Sequence, residues 1–166
     1  MKIFRHFIFF IVICLALIIE ATFFSRLKFF GTNPNLVLII VVSMSFFMRS
    51  RTAIIYAGVA GLIEDLFIGS LIGSNILALV IVIYMVRTYS SRVIRENIIT
   101  PLIIVLTSSI TYYFLMGAIL FIAGKGYFLN IAYIQNILYG SIYNLMIALI
   151  IYPMCYLVLH RFKGEY

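Results

Sequence analysis

Five carboxylic acids occur among the 166 residues, and three of them, Glu20, Glu64 and Asp65, stand inside long apolar runs. In hydrocarbon such a group costs about 2.5 to 3.5 kcal/mol at mid-depth, so it needs a cation, hydrogen-bond donors or a ligand beside it. The large apolar residues around Glu20 return roughly 5 kcal/mol, at about 0.4 kcal/mol each, and can absorb one acid. Leu62, Ile63, Leu66, Phe67, Ile68 and a few neighbours return only about 3 to 4 kcal/mol against Glu64 and Asp65, so that segment must face protein rather than lipid. Counted from the cytoplasmic helix ends, all three acids fall in the outer half of a membrane. Two readings follow: an ion-paired structural cluster within reach of Arg26, Lys28 and Lys125, or a binding site inside the protein or at a helix interface.

Other chemistry has little to work with. His6 and His160 lie at opposite ends of the chain with no acid or cysteine at ligand spacing, so neither a metal site nor a cofactor is expected. No H-E-x-x-H, phosphate-binding loop or nucleophile elbow occurs, and the sequence predicts no enzyme. Cys14 and Cys155 sit in apolar runs, where a free thiol behaves as a small hydrophobe, and no disulfide is expected.

The elements that position the acids follow from composition. With 65% apolar and 10% charged residues and a mean hydropathy of +1.20, a soluble fold could not hide the apolar surface. The chain is expected to form one all-α integral membrane domain over residues 1–166, a bundle of six spans near 7–25, 34–49, 52–69, 74–86, 100–124 and 137–160. Lys2 and Arg5 before the run from Phe7 to Ile19 resemble a signal peptide, but Glu20-Ala21-Thr22-Phe23-Phe24 offers no small-residue cleavage site, so this segment is expected to remain as the first span. Asn33-Pro34 reads as an N-cap followed by proline at the first helical position, and Thr100-Pro101 repeats the signal. Pro153 falls inside the last span, where it should kink the axis and free the carbonyl of Leu149.

The net charge of +7 is dispersed between apolar runs and marks topology rather than nucleic-acid binding. Lys2, Arg5, Arg49, Arg51, Arg87, Arg92, Arg95, Arg161 and Lys163 fall on one side of six spans, and Arg26, Lys28 and Lys125 on the other. This bias places both termini of the multi-pass chain in the cytoplasm. The loop of Arg87, Arg92 and Arg95 is first a topology determinant and second a contact for anionic membrane lipid or a cytoplasmic partner. Twelve tyrosines and no tryptophan must supply the interfacial belt, with Tyr127 and Tyr133 expected on a segment lying along the outer interface.

On the third helix Gly58, Gly61 and Asp65 are spaced i, i+3 and i+7, so one face is small at one end and acidic at the other, with Glu64 rotated about 100° away. Small residues at this spacing let a second helix approach closely. The run from Gly61 to Gly73, Gly-Leu-Ile-Glu-Asp-Leu-Phe-Ile-Gly-Ser-Leu-Ile-Gly, resembles the signature of the bacterial rod shape-determining MreD family, in which a G-L-x-x-D helix end precedes a turn containing S-x-x-G. Pro34-Asn35-Leu36 is similar to the family's P-x-L entry to its second span, Glu20 sits where some members carry an acid, and Asn144 with Pro153 resembles the family's last helix.

The resemblance implies a non-enzymatic inner-membrane component of the cell-wall elongation machinery that binds MreC and acts with MreB, RodA and a class B penicillin-binding protein. It carries Asp65, Gly61 and Gly73 onto the family motif, but not Glu64. It also implies a fold similar to the substrate-binding subunits of energy-coupling factor transporters. A vitamin-binding transporter subunit is therefore the alternative. Those subunits usually carry A-x-x-x-A in the first helix, and here Ala16 and Ala21 are one residue out of that spacing. Whether the chain forms a homodimer stays open at this level.

Overall fold

One stretch of the chain is buried from end to end: residues 34–43, which hold Leu36 to Val42 without a polar side chain. Such a run has no amphipathic stripe and must sit inside a bundle. In the computed structural model, which describes residues 2–28, 31–67, 71–90, 99–124 and 130–161, this run becomes a central helix in an all-helical fold. The helices are α1 (Lys2–Ile19), α2 (Leu36–Ser45), α3 (Ser50–Phe67), α4 (Ser74–Ser90), α5 (Ile99–Ile122) and α6 (Ile131–Arg161). Helix α2 packs against each of the other five. With ten residues it is about 15 Å long, half the thickness of a bilayer core. Its neighbours, not lipid, surround it, so its length need not match the membrane.

The other helices each bury one side. Helix α1 turns Phe9, Ile13, Ala16 and Leu17 inward and leaves Phe7, Leu15 and Ile18 exposed. Phe9 stacks on Tyr56 of α3 with ring centroids 4.2 Å apart. At its far end α1 widens into a π-helical turn, Glu20–Phe24, in which Ser25 N–H bonds the carbonyl of Glu20. Helices α5 and α6 interlock through two tyrosine–glycine contacts. A Cβ on Gly117 would lie 2.5 Å from the Tyr133 ring, and one on Gly140 would lie 2.9 Å from the Tyr113 ring.

Among the described residues three segments have both the length and the apolar composition to cross a membrane, Phe7–Phe24, Ile99–Ile122 and Ile131–Leu157. Helix α3 has the length but carries Arg51, Glu64 and Asp65. Helices α2 and α4 are apolar but shorter.

Two expectations need correction here. The N-cap of α2 is Asn35, not Asn33: its Oδ1 accepts from Leu38 N–H at 2.6 Å, while Pro34 lies buried in the extended entry. Proline restrains the residue before it to extended backbone, which leaves the residue after it free to cap. Tyr133 does not lie on an interfacial segment either. It is part of α6, which starts at Ile131, and its hydroxyl donates to the carbonyl of Tyr113 at 2.6 Å. Tyr127, Lys125, Gly69, Arg92 and Arg95 lie outside the described residues. Pro153 falls inside α6 with its ring exposed, and Cys14 and Cys155 are free thiols.

Candidate functional site

Polar side chains from all six helices meet near one end of the bundle. They come from the C-terminal ends of α1 and α3, the N-terminal ends of α2 and α4, and the middles of α5 and α6. Among α1 to α4, neighbours in the chain therefore run in opposite directions. The cluster solves a specific problem, since the first N–H groups of a helix have no partner within it and cannot be left bare in an apolar core.

At α4 the solution is Asp65, which is 3% exposed. Its Oδ2 accepts from the N–H groups of Gly73 at 2.8 Å and Ile76 at 3.3 Å, and its Oδ1 from Asn75 N–H at 3.0 Å and the Ser74 hydroxyl at 3.3 Å. A negative carboxylate is also the favourable charge for a helix N-terminus. Gly61, one turn before Asp65 on the same face of α3, makes this approach possible. A Cβ there would stand 2.6 Å from the Cα and 2.7 Å from the N of Ile76, backbone atoms that cannot swing away. The turn into α4 passes through Gly73 at φ +100°, a left-handed conformation that favours glycine. Gly61, Asp65 and Gly73 thus act together: one lets α4 descend onto α3, one caps it, and one turns the chain into it. Gly58 differs, because a Cβ there would meet Val80 at an ordinary 3.7 Å.

At α2 the donors are shared out. Leu36 N–H bonds Glu20 Oε2 at 3.0 Å, Leu38 N–H bonds the Asn35 side chain, and Asn35 N–H bonds Asn144 Oδ1 at 2.8 Å. Asn144 is wholly buried and passes its amide hydrogens on to Ser109 Oγ at 3.0 Å. The opposite end of α2 is held by Arg87 of α4, whose Nη1 donates to the carbonyl of Ser45 at 2.9 Å. The short helix therefore has an acid at its N-terminus and a cation at its C-terminus, both from other elements and both of the sign its dipole prefers.

Glu64 caps nothing. It is 4% exposed, and its Oε1 accepts from Asn35 Nδ2 at 2.8 Å and from the Tyr112 hydroxyl at 3.3 Å. The same Tyr112 hydroxyl makes a short hydrogen bond to Asn75 Oδ1. Glu64 Oε2 has no partner among the described residues, nor does Oδ1 of Asn33.

None of the acids meets a cation among the described residues, and Arg26 and Lys28 are exposed, while Lys125 lies outside the described residues. Helix ends and neutral donors took the place of cations because the acids lie deeper than those exposed side chains. Among the described residues no group of three or more His, Cys, Asp or Glu side chains could hold a metal ion. Asn35, Asn75, Tyr112 and Ser109 were missed as cluster members. The available signal was the presence of Asn and Tyr within otherwise apolar segments, where polar side chains bond across helices.

A helical fold with apolar lipid-length segments, whose buried polar groups go largely to capping helix ends, is that of a helical membrane protein. The chain belongs to the family described as rod shape-determining protein MreD, whose sequence model matches residues 1–162. That family comprises shape-determining proteins and is not a known enzyme family. No curated protein and no solved structure matches the chain.

Proposed function

We propose that the chain is a non-enzymatic component of the bacterial cell-wall elongation complex that maintains rod shape by binding MreC within the cytoplasmic membrane. Through MreC it works with MreB, RodA and a class B penicillin-binding protein. The chain spans the membrane six times, the extended entry 32–35 and the side chains of Arg49 and Arg51 completing the short crossing of α2, with both termini in the cytoplasm. The fold is of the kind found in the substrate-binding subunits of energy-coupling factor transporters, with the polar cluster in the outer half.

The observation that carries the reading is the capped α3–α4 junction. Family membership over residues 1–162 supplies the role, and the arrangement of Gly61, Asp65 and Gly73 gives the motif a structural purpose, a fixed start to α4 at Gly73. A fixed helix start suits a partner, since a preorganised surface loses less entropy on binding. The test is co-purification of MreC from detergent extracts. Wild-type protein should retain MreC, whereas Asp65→Ala should insert at normal abundance and lose it. Retention of MreC by Asp65→Ala would reject the junction as the binding determinant.

A further inference from the structure

The polar cluster has an imbalance of hydrogen-bonding groups centred on Glu64. The donors that face Glu64 and Glu20 are engaged: Asn35 Nδ2 on Glu64 Oε1, Leu36 N–H on Glu20, Asn144 Nδ2 on Ser109, and the Tyr112 hydroxyl between Glu64 and Asn75, while the buried hydroxyls of Ser108 and Ser141, one turn away on α5 and α6, have no partner among the described residues. Acceptors are left over. Glu64 Oε2 and Asn33 Oδ1 are buried without partners, and Tyr112 has one proton for two acceptor oxygens.

Among the described residues, the groups around Glu64 supply no compensating charge. Helix α1 leads into Glu20, α2 contributes the amide of Asn35 at its cap, and α3 contributes Asp65. Helix α4 contributes Asn75, α5 contributes Tyr112 and Tyr113, and α6 contributes Asn144 and Tyr133. The charged members of this set are all acidic. An uncompensated carboxylate in such a setting is strongly unfavourable. Glu20 adds to the imbalance, since it binds Leu36 N–H, one residue from the Asn35 amide that holds Glu64. Around them the backbone leaves regular helix twice, in the π-helical turn after Glu20 and in the extended entry 32–35. Irregular backbone at membrane depth is tolerated where it is enclosed by protein, and in transporters such places hold small cations.

We propose that Glu64 is a binding site for one exchangeable positive charge, a small monovalent cation or a proton, taken up at its unpartnered Oε2 in the outer half of the membrane. The two sources share one chemistry and are separable. Either ligand binds the folded state more tightly than the unfolded one, so it stabilises the fold by linkage.

The experiment is thermal unfolding of the purified full-length chain in detergent, followed by circular dichroism, for wild type, Glu64→Gln and Glu20→Gln. One arm exchanges choline for sodium at constant ionic strength and fixed pH. The other lowers the pH in choline buffer. In wild type the midpoint should rise by several degrees in one arm: with sodium if a metal cation is the ligand, with acid if a proton is. Glu64→Gln, which carries neutral donors where the unpartnered oxygen stood, should hold the higher midpoint in both arms. Glu20→Gln should still respond. A wild-type midpoint indifferent to both arms overturns the proposal. So does a Glu64→Gln protein that tracks wild type through both, or a response lost in Glu20→Gln, which would move the charge to that residue.

Discussion

Two neighbouring acids on one helix have opposite roles. Asp65 satisfies backbone and hydroxyl donors at the start of α4, whereas Glu64 has more acceptor capacity than its neighbours have donors. Replacing Asp65 by Ala strands those donors, at about 1 to 3 kcal/mol each. Asn keeps one acceptor oxygen but turns an amide group toward N–H groups, so the thermal midpoints should fall in the order wild type, Asp65→Asn, Asp65→Ala. An Asn variant less stable than the Ala variant would mean that the carboxylate does not cap α4. In a deletion strain, Asp65→Ala should fail to restore rods, and Glu64→Gln, isosteric and uncharged, should restore them. Cell shape scored by microscopy, with membrane abundance checked by immunoblot, decides both. The sequence marked Asp65 twice, by cost in hydrocarbon and by motif. Its place near the helix end suits a buried carboxylate that accepts hydrogen bonds and fixes the turn up to Gly73; the further reach to Ser74, Asn75 and Ile76, which makes it the cap of α4, was not legible because those donors lie nine or more positions away.

At the scale of elements, the contact between α3 and α4 rests on Gly61. Even a methyl group would meet the Ile76 backbone at 2.6 Å, so Gly61→Ala should push the helices apart and Gly61→Leu more so, at about 1 to 3 kcal/mol for overpacking. Gly58→Ala should be close to neutral, with a gain in helix propensity of up to about 1 kcal/mol offsetting any crowding at Val80. Midpoints in detergent measure the contrast, and equal losses at both glycines would contradict the geometry. Spacing alone put Gly58 and Gly61 on one face and could not rank them, because the ranking depends on how steeply α4 crosses α3. The tyrosine–glycine interlock of α5 and α6 was equally invisible: Tyr113 and Gly140, or Tyr133 and Gly117, become neighbours only when the two helices are docked.

For the whole molecule, the helices fall near the apolar runs because each run is bounded by charges, glycines or a proline that the chain cannot bury. The legible part was helix existence. The start of α2 is ambiguous in the sequence because Asn33 and Asn35 flank Pro34 as rival caps, and α6 begins at Ile131 rather than near 137 because the aromatic and polar residues before 137 are compatible with helix. Alternating helix direction and the basic bias together predict that reporter fusions at Asn33, Gly73 and Gly126 read outside and one at Arg92 reads cytoplasm. A cytoplasmic reading at Gly73 would reverse α3 and α4 in the membrane.

The sheathed position of α2 has a mechanical side. A bilayer that thickens or thins presses on α1, α5 and α6, which tilt to match it at a modest cost per ångström. The inner helix feels none of that pressure directly and keeps its own length. Relative sliding between the two layers must then be taken up at the bonds that pin the inner helix, Glu20 and Asn144 at one end and Arg87 at the other. Were the outer helices to tilt with the lipid, the bonds at the Asn35 end, beside Glu64, would be where the inner helix registers it.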